Sequence, residues 1–313
     1  MAGKILFLVI LMIIGIILKL KGKVTGHSIL DLSRINMDIF WPALIFSSII
    51  TGLDRSVLLN NMLLPFSAVV TAFTGLSAGL LICKINKWKG TRKSIFLYHS
   101  TINNFVFLVL PFVTYFLPER GAGLLFVHNL GYMIILWTIG ISFMTHNLTF
   151  RQKLKQLFSN GLIATVSGIV IVLFNFNNYV PEMAVEILNT LGKCTVPVAM
   201  IIAGARIADL GIKALKFDKW NIQLGLLRLV FVPGVLAVIT ILLFRYTSIS
   251  KELLIIFMTV NLAPVSVNAV SMAVYYNSDA DLAAEGVVFT HLFSMATMIF
   301  FFWIMKDFFT SFI

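Results

Sequence analysis

Ser100-Thr-Ile-Asn103-Asn104-Phe-Val-Phe-Leu-Val-Leu-Pro111-Phe112 lies in an apolar run long enough to cross a bilayer, yet it holds two adjacent carboxamides and a proline. Hydrocarbon leaves unpaired polar groups unsatisfied, and proline removes a backbone donor. Irregular backbone is tolerated at membrane depth only where it is buried in protein or lines a cavity. The stretch therefore reads as a helix broken for a purpose. Composition says where such a helix belongs. The 313 residues are 59% hydrophobic and 12% charged, about half the charged fraction of a soluble domain. Mean hydropathy is +0.97. The chain reads as an all-α integral membrane protein.

Outward from that stretch, ten apolar segments of about twenty residues follow one another. They are 4–20, 34–53, 60–83, 94–117, 122–146, 160–176, 183–207, 224–244, 252–275 and 284–305. Their connections are short and leave no room for a separate soluble domain. The loops after spans one, three, five and seven hold sixteen Lys and Arg, and the opposite side holds six. This bias predicts a multi-pass protein of the cytoplasmic membrane with both termini outside. The net charge of +11 is thus a topology signal and not the mark of a nucleic-acid partner. The first run carries its charges mostly after it (Lys19, Lys21, Lys23) and has no A-x-A site, so it is expected to be retained as a span. Cys83 and Cys194 fall in apolar runs and predict neither a disulfide framework nor a metal site.

The spans repeat. Trp41-Pro42-Ala-Leu-Ile-Phe has a counterpart in Val196-Pro197-Val-Ala-Met-Ile, and Thr101-Ile-Asn103 in Thr259-Val-Asn261, with Pro111 and Pro264 following. Gly123-Leu-Leu-Phe-Val-His128 matches Gly286-Val-Val-Phe-Thr-His291 at a similar offset. Five spans is an odd number, so the second copy must lie inverted. The prediction is two inverted five-helix repeats, 1–155 and 156–313, with broken helices four and nine crossing at mid-depth. Prolines 42, 111, 197 and 264 mark the breaks (Pro42, Pro111, Pro197, Pro264). Half-helix N-termini there present partial positive charge to an anion, and Asn103, Asn104, Asn261 and Asn268 supply donors. The competing reading of each asparagine is helix-to-helix hydrogen bonding without a ligand.

Asn104-Phe-Val-Phe-Leu-Val-Leu-Pro111 resembles the N-x6-P stretch of the auxin efflux carrier family, whose bacterial members are often labelled malate permeases. The resemblance covers nearly the whole chain. Pro42-Ala-Leu-Ile-Phe, Gly192-Lys193-Cys-Thr195-Val-Pro197 and Arg228-Leu-Val-Phe-Val-Pro233 are similar to the family's second, seventh and eighth spans. Asn261-Leu-Ala-Pro264-Val-Ser-Val-Asn268, with Tyr275-Tyr276 and Asp279, resembles the ninth. The resemblance implies a scaffold of spans 1, 2, 6 and 7, a mobile transport domain of spans 3–5 and 8–10, elevator movement, and often a homodimer. It also implies that Asn104 contacts a substrate carboxylate. Val106 and Val109 stand where bacterial members usually carry glycine. Bulkier side chains there narrow the site or shift its specificity, so no relative's substrate is carried over.

Ionisable groups within spans are candidates for function. Asp38 and Lys193 each precede a repeat-related proline by four residues, and the pair is expected either to join or to point to opposite faces. Lys193, with Thr195 beside it, is also a candidate for meeting an anion. His99, His128 and His291 are candidates for carrying protons, against the alternative that they only pack helices. Arg228 reads as an interface anchor. Gly75-Leu-Ser77-Ala-Gly79 has the G-x-S-x-G pattern without its strand–turn–helix setting, so close helix packing explains it better. The expected function is a secondary transporter or facilitator of a small organic anion, a mono- or dicarboxylate, in a lipid bilayer. It is expected to be no enzyme and to need no cofactor, with H⁺ or Na⁺ open as coupling ion. The rival readings are a ligand-sensing receptor or an anion channel on the same fold.

Overall fold

The computed structural model describes residues 2–104, 108–145, 148–211 and 214–304. The described chain is helical: α1 (Ala2–Leu20), α2 (Gly26–Gly52), α3 (Arg55–Ile85), α4 (Gly90–Thr101), α5 (Leu110–Phe116), α6 (Gly121–Met144) and α7 (Phe150–Leu157). It continues with α8 (Asn160–Leu173), α9 (Glu182–Asp209), α10 (Lys219–Tyr246), α11 (Lys251–Asn261), α12 (Asn268–Tyr275) and α13 (Ala280–Ile304). Six of these (α2, α3, α6, α9, α10 and α13) are long and apolar enough to cross a membrane. The pair α7 and α8, bent by 61°, makes a seventh if the two count as one span. Each expected span overlies a helix or a pair of helices. Spans four and nine fall into two pieces each, α4 with α5 and α11 with α12, and neither piece is long enough alone.

Polar residues at the junctions start the helices. Asp54 Oδ1 accepts from the Val57 amide at 2.8 Å to open α3. Its carboxyl is held below the usual range, first by the Ser56 hydroxyl and then by that amide. Ser159, Asp218 and Ser250 cap α8, α10 and α11 in the same way, satisfying amides that a helix start leaves open.

The expected breaks at Pro42 and Pro197 do not occur: α2 and α9 run on through both residues. Pro42 cannot donate to the carbonyl four residues back, so the turn Asn36–Phe40 widens to a π-helix, and Trp41 N–H donates to the Asn36 carbonyl. A second π-turn, Leu227–Phe231, precedes Pro233 in α10. At Pro197 the chain makes a single turn at Cys194 and resumes as helix. Pro111 opens α5 near its N-terminus, where the missing donor would have been unpaired in any case.

Two packing groups organise the bundle. In one, α1 lies along the C-terminal half of α9, while α2 packs on α8 and on the N-terminal half of α9. In the other, α3 packs on α4 and α6, α10 on α11, and α12 on α13. The G-x-S-x-G segment explains the approach of α4 to α3. A Cβ on Gly75 would overlap the Ser100 carbonyl, and one on Gly79 would overlap the Ser100 hydroxyl. Those glycines bring to the protein's centre the helix end that bears Asn103 and Asn104.

Candidate functional site

The two interruptions meet. After α4, Ile102 turns to extended geometry, and Asn103 forms an antiparallel bridge with Val265 in the gap between α11 and α12. The Asn104 amide donates to the Pro264 carbonyl at 2.8 Å, and the Ser266 amide to the Ile102 carbonyl at 3.3 Å. Each break thereby satisfies backbone groups that the other exposes, which membrane depth requires.

At this bridge the four asparagines divide into two kinds. Asn103 and Asn261 are fully buried. Asn103 donates through Nδ2 to the Val260 carbonyl at 2.9 Å, and Asn261 to the Phe257 carbonyl at 2.6 Å. Asn104 and Asn268 instead line a cavity of about 680 Å³. One wall of the cavity comes from α1, α2 and α9 (Met12, Met37, Met200), and the other from the break and α6, α12 and α13 (Leu108, Trp137, Val287). Its surface is mostly apolar, with a few polar groups converging, the usual make-up of a small-molecule site.

Asn104 Nδ2 donates to His291 Nε2 at 3.2 Å. The other ring nitrogen, Nδ1, donates to the Val287 carbonyl at 2.9 Å, which fixes His291 as the neutral Nδ1–H tautomer. The other histidine candidates lie elsewhere. His99 Nε2 donates to the Ala283 carbonyl at 3.1 Å, and His128 Nδ1 donates to the Ser67 hydroxyl at 2.8 Å, whose own proton goes to the Leu64 carbonyl. Both rings are buried, and neither lines the cavity.

Several expected residues take other places. Asp38 and Lys193 form no ion pair among the described residues. Asp38 lines the cavity and accepts from Asn160 Nδ2 at 3.2 Å, while Lys193 is exposed away from it. Thr195 is buried and does not reach the cavity. Val109 is likewise buried outside the lining, and Val106 lies outside the described residues. Arg228 is no interface anchor. It is fully buried in the π-turn of α10 beside Tyr132, where the widened turn carries it inward.

Four other cavity residues carry no motif, Asn36, Trp137, Gln156 and Arg206, and Tyr276 joins them from the stretch that resembles the family's ninth span. Asn36 stands in the π-turn that Pro42 imposes, which is a sequence-readable signal; Trp137 stands in another π-turn, Leu136–Gly140, with no proline to announce it. Tyr276 donates its hydroxyl to Gln156 Oε1 at 3.0 Å. Among the charges at this end, Asp209 pairs with Lys19 at 2.6 Å and Arg34 with Asp31 at 3.4 Å. Arg206 has no carboxylate partner among the described residues.

Beside this geometry stand two likenesses. An uncharacterized transporter, MJ1031, of Methanocaldococcus jannaschii is 25% identical over 309 residues, covering 97% of this chain and 98% of the relative. The sequence also matches the Membrane transport protein family over residues 1–147 and 142–302. A multi-pass helical chain whose interrupted helices close on each other beside a cavity, and which matches that family along its length, belongs to the membrane transport proteins of the auxin efflux carrier family.

Proposed function

We propose that the protein is an elevator-type secondary transporter or facilitator that carries a small organic anion, a mono- or dicarboxylate, across the cytoplasmic membrane. The observation that carries this reading is the bridge of the two breaks at a cavity wall, with Asn104 and Asn268 offered to the cavity from either break. The Arg206 guanidinium at the same cavity, without a carboxylate partner among the described residues, favours an anion. The two packing groups support a scaffold of spans 1, 2, 6 and 7 and a moving part built from spans 3–5 and 8–10. The cavity lies between them, as alternating access requires. In this scheme the halves 1–155 and 156–313 are inverted repeats, broken helices four and nine cross, both termini lie outside, and two chains associate as a homodimer.

The test pairs binding with flux. Malate, succinate, benzoate and phenylacetate are screened for thermal stabilisation of the purified protein, because a ligand selective for the folded state raises its apparent stability. Asn104→Ala weakens the binding found by about 1–3 kcal/mol, the range for a lost hydrogen bond to a charged group. Asn104→Asp weakens it more, by placing a like charge beside the carboxylate. Binding by Asn104→Asp equal to that of the parent removes Asn104 from the site. Saturable flux with counter-exchange in proteoliposomes separates a carrier from a channel or a receptor. Impermeant thiol labelling of cysteine placed at Thr247, but not at Lys89 or Lys153, checks the orientation in intact cells.

A further inference from the structure

Among the described ionisable side chains that line the cavity, His291 is directly hydrogen-bonded to the proposed anion-binding amide. Its ring is in contact at both nitrogens, and the two contacts differ in what a proton does to them. At Nδ1 the ring donates to the Val287 carbonyl whether it is neutral or charged. At Nε2 it accepts from Asn104 Nδ2, and it does so only while neutral, since an imidazolium has no acceptor.

We propose that His291 Nε2 is a proton-binding site that couples anion binding to H⁺. When Nε2 takes a proton from water, it becomes a donor and the Asn104 amide can no longer donate to it. Rotation of the carboxamide by about half a turn restores the hydrogen bond, now from Nε2–H to Oδ1. Both Asn104 N–H groups are then free to face the cavity, and the imidazolium adds a positive charge behind them. One proton and one carboxylate therefore bind together, and the loaded site is neutral in sum. With neither bound, the amide closes back on the ring. The N–H bond formed at Nε2 is balanced by the O–H bond broken in the hydronium ion that gives up the proton and leaves as water.

The surroundings of His291 bear on this proton. From α4 comes His99, near enough to act on it electrostatically. The other charged and titratable groups around the cavity are Arg34 and Asp38 of α2, Arg206 and Asp209 of α9, and Tyr275 and Tyr276 at the end of α12. On its own helix, Glu285 is taken up by Lys216 at 2.5 Å. None of these carboxylates is hydrogen-bonded to the ring, so the charge that an imidazolium brings is left for a ligand to balance.

The proposal rests on the anion-carrier reading, and its test separates the two. Protein carrying ring-¹⁵N histidine is studied by NMR in detergent, with His291→Gln to assign the signal. Calorimetry with malate, succinate, benzoate and phenylacetate is run in phosphate and in Tris, whose different ionisation enthalpies report proton uptake. The expected result is the Nδ1–H tautomer without anion, an imidazolium with it, and one proton taken up per anion bound. Apparent affinity then falls by about tenfold per pH unit once the free ring has lost its proton. His291→Gln binds more weakly and loses that slope, whereas His99→Gln keeps it. An Nε2–H tautomer in the anion-free protein overturns the proposal even if every variant misfolds. Anion binding without proton uptake overturns it too, but leaves the carrier reading in place. Failure of all four anions to bind removes the carrier reading, and the proposal with it.

Discussion

The two broken helices begin from nearly the same triplet, Thr101-Ile-Asn103 and Thr259-Val-Asn261, and end in different arrangements. In the first, Asn103 reaches across to the other break and holds the Val260 carbonyl, while Asn104 is latched to His291. In the second, Asn261 stays within its own helix on the Phe257 carbonyl. Asn268 lines the cavity with no side-chain hydrogen bond among the described residues. The first break is the one that ties the pair together and carries the switchable contact. The second completes the backbone bridge and leaves an open donor. The recurring triplet supplied similar parts to both breaks, and the neighbours each break met decided their use.

The largest way to break this comparison acts on the support of the first break. Gly75→Val forces a side chain into the Ser100 carbonyl, where neither backbone can yield without moving α4. The expected outcome is loss of folded protein in size-exclusion chromatography, since overpacking costs at least about 1–3 kcal/mol where the structure can adjust. A normal monodisperse yield would show that α4 is free to shift and that its position is not set by α3.

Next in size is the contrast between the inner asparagines. Asn103→Ala removes a tie between breaks and is expected to lower stability by about 1–2 kcal/mol; Asn261→Ala removes a bond local to one helix and costs under about 1 kcal/mol. Thermal unfolding in detergent measures both. Equal losses would mean that the tie across the bridge has no special weight. The outer asparagines sharpen the comparison further. Asn268→Ala is expected to leave the unfolding temperature in place and to weaken carboxylate binding by about 0.5–1.5 kcal/mol, less than Asn104→Ala does. The reverse order would move the centre of the site to the second break.

The smallest expected effect lies in α2 and α9. Asp38→Asn, Lys193→Gln and the double variant are expected to add within about 0.3–0.5 kcal/mol, as independent sites do, because Asp38 is bonded to Asn160 and not to Lys193. Coupling above about 1 kcal/mol would reveal an ion pair formed in another conformation of the protein.

Membrane residence, helical class, the positions of the apolar segments and the two interrupted helices were all legible in the chain itself. Each depends on local facts: the length of an apolar run, a proline's missing donor, a carboxamide where hydrocarbon offers no partner. Pro42 shows the limit of that reading. A missing donor marks where a helix must adapt, but not whether it breaks or widens, and packing of α2 on α8 and α9 holds it as a widened turn. The cavity was half legible. Asn104, Asn268, His291 and Asp38 stand in motifs or at unusual depth. By contrast, Trp137, Gln156 and Arg206 are ordinary residues until distant helices bring them to one space. Lys193 and Thr195 look like site residues by motif, yet the side of α9 they occupy turns them elsewhere. What only the tertiary structure decided was which polar groups face each other. The bond from Asn104 to His291 joins residues 187 positions apart, and nothing local to either one specifies the other, because that contact follows from the close approach of helices and not from the propensity of any segment.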